Sequence, residues 1–101
     1  MLILLPMNGD SKEESRLVSI NEVKKWALLT VEEGQIAKIN FYDTREEITD
    51  WVEAVVVVGD FEPIMSFIEE QVMVLVAHTQ RNIDDIVEAF LFKELHEVAM
   101  Y

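Results

Sequence analysis

The chain has 101 residues, half of them hydrophobic, which is enough for one domain spanning residues 1–101. With 20 acidic and 8 basic side chains, its formal net charge is -12. This charge repels nucleic-acid phosphates and anionic membrane surfaces, so we expect neither as a partner. The sequence has no cysteine, which excludes a disulfide framework, a thiolate zinc site and a cysteine nucleophile.

The apolar start of the chain does not fit a secretory signal. Asp10 and Glu13 follow it before a full hydrophobic region could form, and no basic residue precedes it. Elsewhere, no apolar run approaches the ~20 residues that cross a bilayer. We therefore expect a cytoplasmic protein.

Three strands are predicted in the first half of the sequence. Leu2–Met7 is a continuous apolar run, typical of a strand buried on both faces, and Asn8-Gly9-Asp10 ends it with turn residues. Two further strands are predicted at 26–31 and 35–41. Between them, Glu32-Glu33-Gly34 supplies a glycine where a hairpin loop needs a positive φ.

A helix is predicted between the third and fourth strands. Thr44 and Glu47 have the spacing of a capping box. Three apolar residues follow at the spacing of one helix face: Ile48, Trp51 and Val52. Large aromatic residues at such positions pack in the core, so we expect Trp51, and also Trp26 on the second strand, to be buried.

Strands and helices alternate in the rest of the sequence. The runs 54–58 and 72–77 are apolar throughout, which is typical of central strands. Pro63 fits the first turn of a helix between them. Asn82 fits the N-cap of a last helix with one buried face, and His96, near the predicted end of that helix, is assigned no chemistry.

The predicted order of elements is therefore β, β, β, α, β, α, β, α. Helical connections between buried strands require parallel pairing with right-handed crossovers, whereas the short link at Glu33-Gly34 requires an antiparallel pair. A mixed sheet satisfies both requirements. We predict an α/β fold with a five-stranded mixed sheet and helices on both faces.

This order resembles the dinitrogenase iron–molybdenum cofactor-binding family, which includes carriers of the NifX type and the C-terminal domain of NifB. The similar segments are Leu2 to Asp10, Trp26 to Ile36, Val55 to Gly59 and Ile83 to Leu95. The resemblance implies a ribonuclease-H-like three-layer architecture. It also implies a non-catalytic carrier domain that holds a metal–sulfur cluster or a related metal ligand.

The chain departs from the family pattern at three segments. Ile20-Asn21-Glu22-Val23 stands in place of a Phe-Gly-Arg-Ala-like segment, and the glycine-rich turn reads Val58-Gly59-Asp60-Phe61. Residues 77–81 replace the glycines before the last helix. Fewer glycines restrict the approach of a ligand to the backbone, and added acids repel an anionic cluster. These departures favour an alternative function, an acidic protein–protein interaction domain that kept the fold and lost the ligand site.

Candidate binding residues lie where three predicted strands end, because ligands in open α/β sheets bind outside the carboxyl ends of the parallel strands. Six candidates lie there: Asn8, Asp10, Gly59, Asp60, His78 and Thr79. If the first, fourth and fifth strands are neighbours, His78, Asp60 and Asp10 would converge as ligands for a borderline divalent metal. Turns are rich in such residues for conformational reasons, so caps and turn residues are the alternative interpretation. Without cysteine, a cluster would be ligated by His78, carboxylates, methionine or backbone groups.

No catalytic residue is predicted. The strand segments 2–7, 54–58 and 72–77 carry no acid of the kind that a two-metal nuclease places on its central strands. The sequence also lacks a Gly-x-Ser-x-Gly motif and a phosphate-binding glycine loop. The segment from Val98 to Tyr101 could pair with a second copy, and Phe92, Met100 and Tyr101 would leave apolar surface there, so a homodimer is left open.

Overall fold

The computed structural model describes residues 1–98, which form a mixed six-stranded sheet with two α-helices. The strands are β1 (Leu2–Met7), β2 (Lys25–Glu32), β3 (Gln35–Tyr42), β4 (Ala54–Val57), β5 (Met73–Val76) and β6 (His96–Glu97). The helices are α1 (Met65–Glu69) and α2 (Ile83–Leu91), and short 3-10 turns lie at Ile20–Glu22 and Arg45–Glu47. Over residues 1–98, no helix is long and apolar enough to cross a membrane.

The strand order across the sheet is β3-β2-β1-β4-β5-β6. β4 pairs in parallel with β1 and with β5, whereas β2 pairs with β1 and β3, and β6 with β5, in antiparallel fashion. The α/β class and the mixed sheet were predicted. β1, β4 and β5 are neighbours, which is the condition stated for the convergence of His78, Asp60 and Asp10. The strand number was wrong, because β6 adds a sixth strand.

Successive side chains of β1 point to opposite faces of the sheet, so they belong to two separate core layers. Ile3 and Leu5 pack with Ile86 of α2, whereas Leu4 packs with Phe67 of α1 on the other face of the sheet. Each helix therefore covers one face. Val56 and its neighbours on β4 are fully buried, as expected for a strand in the middle of a sheet covered on both sides.

The β2–β3 hairpin turns at two residues with positive φ, Glu33 at 52° and Gly34 at 78°. This is type I′ geometry, which matches the twist of the paired strands. Glycine adopts it freely, but a residue with a Cβ is strained by roughly 1–2 kcal/mol in the left-handed region. Glu33 therefore stores strain in an otherwise well-formed turn.

The helix predicted from Thr44 to Val52 is wrong, since only the 3-10 turn Arg45–Glu47 forms there. β3 and β4 are parallel and separated by β2 and β1, so residues 43–53 cross three strand spacings, about 14 Å in all. They must also rise over the sheet and descend again. Eleven helical residues advance only about 16 Å, whereas an extended chain reaches about 36 Å. The connection is therefore largely extended.

The two tryptophans consequently have different environments. Trp26 on β2 is 5% exposed, as predicted, and its ring centroid lies 6.2 Å from that of Phe67. Trp51 lies on the extended connection and is 75% exposed, so the prediction that it packs in the core was wrong.

Helix α2 begins where the sequence predicts and ends earlier. The Asn82 side chain accepts a 2.8 Å hydrogen bond from the Asp85 amide, which caps the helix. At the other end, Lys93 has a φ of 58°, its amide donates to Phe90, and the Glu94 amide donates to Ala89. This Schellman motif stops the helix, so Leu95 lies outside it.

After this reversal the chain returns to the sheet as β6, where His96 pairs with Val76. The Val98 amide donates to the Val74 carbonyl, so Val98 extends the contact of the chain with its own sheet. The predicted dimer contacts of Met100 and Tyr101 lie outside the described residues. Phe92 is exposed beside the end of α2, as expected.

Candidate functional site

The carboxyl ends of β1, β4 and β5 meet at one edge of the sheet, which we call the rim and define as residues 8–10, 59–61 and 78–79. From β1 the chain continues to β2 on one side, whereas β4 and β5 lie on the other. The rim therefore includes the point between β1 and β4 where the direction of strand connection reverses. Ligands of open α/β sheets bind in the crevice at such points.

His78 and Asp60 lie together on the rim. Their strands are in parallel register, with Val57 opposite Val76, and the loops that follow bring His78 Nε2 to 3.5 Å from Asp60 Oδ2. Each side chain is about half exposed. An exposed His–Asp contact of this kind contributes at most about 1 kcal/mol, so the fold does not require it.

A second imidazole lies beside His78. The rings of His78 and His96 are stacked, with centroids 6.4 Å apart and planes inclined by 21°. This arrangement arises because β6 pairs with the end of β5 and places His96 opposite Val76. No chemistry was predicted for His96, since its placement depends on a two-residue strand that has no hydrophobic alternation.

Asp10 and Asn8 do not join this pair. The pKa of Lys25 on β2 is raised mainly by the hydrogen bond and charge of Asp43, and the Asp10 carboxylate makes a smaller contribution. The Asn8 side-chain oxygen accepts a 2.8 Å hydrogen bond from the Arg16 backbone amide, and the Asn8 backbone amide donates to the Arg16 carbonyl. Among residues 1–98, no group of three His, Asp or Glu side chains could hold a metal ion. The predicted three-ligand site of His78, Asp60 and Asp10 is therefore not assembled.

Gly59 and Thr79 complete the predicted set of rim residues. A Cβ atom placed on Gly59 would meet no atom within 4 Å, and its φ lies outside the left-handed region. Neither packing nor backbone conformation therefore requires glycine at this position. Thr79 is exposed next to His78. Both residues border open space, so a ligand can approach the backbone of the rim there.

Arg81 holds the loop between β5 and α2. Its guanidinium donates hydrogen bonds to the carbonyl oxygens of Ala77 at 2.8 Å, Gln80 at 2.8 Å and His78 at 3.2 Å. Five guanidinium N–H groups allow one side chain to satisfy several carbonyls. The loop is thus fixed by hydrogen bonds from one of its own side chains.

Acidic residues next to the rim are largely occupied within the chain. Glu62 accepts hydrogen bonds from the Ile20 amide at 2.6 Å and the Ser19 hydroxyl at 3.0 Å. These bonds tie the segment before β2 to the loop after β4. The positive end of α2 is likewise occupied, since Asp84 and Asp85 lie in its first turn. Within the described residues, the His78 imidazole and the Asp60 carboxylate are exposed at the rim, and His96 is exposed beside them. The ring of Phe61, the residue after Asp60, is fully exposed.

No protein-family model matches the chain, and no curated protein matches it. Several solved structures are similar to it. A crystal structure of a "putative dinitrogenase" from Methanocaldococcus jannaschii has a TM-score of 0.78 at 12% identity, covering 100% of this chain and 97% of that one. An NMR structure of a "putative NifB protein" from Thermotoga, of the DUF35 family, has a TM-score of 0.78 at 10% identity, covering 99% and 95%. The crystal structure of the protein PH0822 has a TM-score of 0.75 at 17% identity, covering 97% and 96%. At these identities the likeness establishes the fold alone.

Proposed function

We propose that this chain is a non-catalytic binding or carrier domain of the dinitrogenase iron–molybdenum cofactor-binding type, with a ribonuclease-H-like architecture. Its cargo would be a metal–sulfur cluster or a related metal compound bound at the rim. The observation that carries the proposal is the stacking of His78 and His96 beside Asp60, at the edge where ligands of this fold class bind. Two of the similar structures are named a "putative dinitrogenase" and a "putative NifB protein", which supports a cofactor-binding-like domain.

The side chains available as metal ligands favour a metal–sulfur compound over a bare metal ion. A bare structural or catalytic metal ion takes three or four protein ligands, and the described residues assemble no such group. A metal–sulfur compound brings most of its own ligands and needs fewer from the protein. The chain has no cysteine, so imidazole nitrogen is the strongest donor that the rim offers.

Asp60 has a positioning role in this proposal. Its carboxylate lies against Nε2 of His78, which leaves Nδ1 of the same ring as the atom free to bind metal. A carboxylate beside the second ring nitrogen can orient a metal-ligating imidazole. Gly59, where a side chain would enter open space, leaves room for a bulky cargo next to this ring.

Native mass spectrometry tests the proposal with anaerobically purified protein exposed to a reconstituted iron–sulfur cluster. We expect one stoichiometric mass addition in the parent chain and its loss in His78→Asn and in His96→Asn. Glu97→Gln is the matched control, because it alters the same strand as His96 and leaves both imidazoles intact. A clean apo mass for the parent, or equal retention in the double histidine variant, would refute a cluster site at the rim.

A second candidate function is the acidic protein–protein interaction domain that has lost its ligand. The fully exposed ring of Phe61 favours it, because exposed aromatic residues are typical energetic anchors of interfaces. A net charge of -12 suits a partner with a basic surface. Pull-down from a cell extract should recover a partner that is released by salt and lost in Phe61→Ser. If no such partner is recovered at low salt, this function is excluded.

For both functions we propose a cytoplasmic location and no nucleic-acid or membrane partner. The net charge supports the absence of such partners, since 20 acidic against 8 basic residues disfavour binding to phosphate-rich surfaces. Fractionation of cells that express the tagged chain tests the location. Recovery with the membrane or nucleic-acid fraction at physiological salt would contradict it.

A further inference from the structure

A cavity of about 470 Å³ lies far from the rim, between the extended connection 43–53 and helix α1. Val52 and Val72 line it, and they precede β4 and β5, whereas the rim follows these strands. The cavity is therefore at the opposite end of the parallel strands. Its size is within the range of about 300–1,000 Å³ that is typical of small-molecule sites.

The interior of the cavity is apolar and partly aromatic. Leu4 and Phe67, both buried, contribute to its wall, and Trp51 lies on it with most of its indole in solvent. The cavity exists because the connection is extended. A helix at 44–52 would have covered this part of α1 with its own apolar face.

Charged side chains around the cavity are predominantly acidic. Three carboxylates line it, from Glu46, Asp50 and Glu70, against the single guanidinium of Arg45. That guanidinium is already engaged: its Nη2 lies 3.1 Å and 3.3 Å from the two carboxylate oxygens of Glu70, and its centre lies 3.9 Å from the centroid of the Phe67 ring. The lining therefore has a surplus of negative charge.

We propose that this cavity binds a small organic cation with an apolar body, such as an arylalkyl ammonium compound. The aliphatic and aromatic wall would bury the body, and Glu46 and Asp50 would attract the ammonium group. The exposed Trp51 ring offers a face for cation–π contact in the same place. An anion of the same shape would meet the surplus carboxylates, and Arg45 is already paired with Glu70.

The test uses three probes of one shape: 2-naphthylmethylammonium, 2-naphthylmethanol and 2-naphthoate, each titrated by calorimetry. We expect the ammonium probe to bind about tenfold more tightly than the alcohol, which corresponds to ~1.4 kcal/mol, and the carboxylate to bind most weakly. Raising the salt from ~0.05 to ~0.5 M should reduce the preference for the cation, since these carboxylates are exposed. Absence of binding by every probe, or naphthoate binding as tightly as the ammonium, would overturn the proposal.

A matched pair of double variants separates a local site from the general charge of the protein. Glu46→Gln with Asp50→Asn should weaken the ammonium probe about fivefold, since each exposed pair contributes a fraction of a kcal/mol, and should leave the alcohol unchanged. Glu69→Gln with Glu94→Gln alters the net charge equally but changes no residue that lines the cavity. Equal weakening in both double variants would show a bulk charge effect and refute the site. None of these residues is on the rim, so the result is independent of the cargo experiment.

Discussion

The two tryptophans allow a quantitative test of the extended connection. Trp26 is 5% exposed and Trp51 is 75% exposed. A tryptophan side chain buries up to ~250 Å², so Trp51 retains roughly a quarter, ~60 Å², which is worth at most ~1.5 kcal/mol at 25 cal/mol/Å². Trp26→Ala should cost ~3–5 kcal/mol, since it removes nearly a whole buried side chain from beside Phe67.

Urea unfolding followed by far-UV circular dichroism measures both costs, because each variant removes one of the two fluorophores. With a slope of ~1.5 kcal/mol/M, Trp51→Ala should lower the midpoint by at most ~1 M and Trp26→Ala by ~2–3 M. If Trp26→Ala fails to fold, Trp26→Phe keeps an aromatic ring and should cost ~1–2 kcal/mol.

A helix at 44–52 makes the opposite prediction for Trp51. Its indole would then lie on the buried face of that helix, and Trp51→Ala would cost about as much as Trp26→Ala. Equal losses in the two variants would therefore refute the extended connection, and with it the cavity beside α1. In a Trp26→Phe background, Trp51 is the only remaining tryptophan. A fluorescence emission maximum at an intermediate wavelength, together with strong quenching by acrylamide, would support its exposed position.

Four further outcomes are expected. Glu33→Asn should raise the free energy of unfolding by ~0.5–1 kcal/mol in urea, because asparagine tolerates the positive φ at this turn. Lys93→Gly, at the end of α2, should raise the free energy of unfolding by a similar amount, because glycine adopts the positive φ of this position without strain. Gly59→Ala should change stability by less than ~0.5 kcal/mol, measured by thermal melting, while reducing cluster retention at the rim. The hydrogen bond to Asp43 raises the pKa of Lys25 above 10.5. This ion pair therefore persists at neutral pH and is lost as the pH rises through the raised pKa of Lys25. In Asp43→Asn, NMR titration should show a lower pKa for Lys25.

The central strands could be predicted because their burial on both faces imposes a pattern that is visible locally. Leu2–Met7 forms over the predicted residues, and the strand predicted at 54–58 forms as Ala54–Val57. Gly34 likewise marked the hairpin, since its side-chain-free backbone adopts the φ that the loop requires. In each case the residues that form the element also meet its requirement, burial on both faces for the strands and a positive φ for the hairpin.

Two elements could not be predicted, because their causes lie elsewhere in the fold. The helical spacing of Ile48, Trp51 and Val52 is real, but the distance from β3 to β4 leaves too few residues for a helix. β6 has only two residues, and it pairs with β5 because a Schellman turn at Lys93 returns the chain toward the sheet. Tertiary geometry overrides local propensity in both cases.

The candidate site shows the same division. The proximity of His78 and Asp60 followed from the order of parallel strands, which the sequence indicates. His96 reaches the same place only through β6, so no pattern in the sequence could have identified it. Asp10 was predicted in the site from strand order, whereas no group of three metal ligands forms among residues 1–98.

The contacts that shape the rim are separate from the side chains that would bind a ligand. Arg81 fixes the β5–α2 loop through three carbonyl groups, and Glu62 fixes the segment at Ser19 and Ile20. The His78 imidazole lies beside Asp60 and His96, both of which are exposed, and such contacts contribute little to stability. Side-chain hydrogen bonds of Arg81 and Glu62 therefore keep these loops in place. For this reason the fold should survive the loss of the imidazoles, and a variant that loses its cargo while keeping its melting temperature would separate ligand binding from stability at this rim.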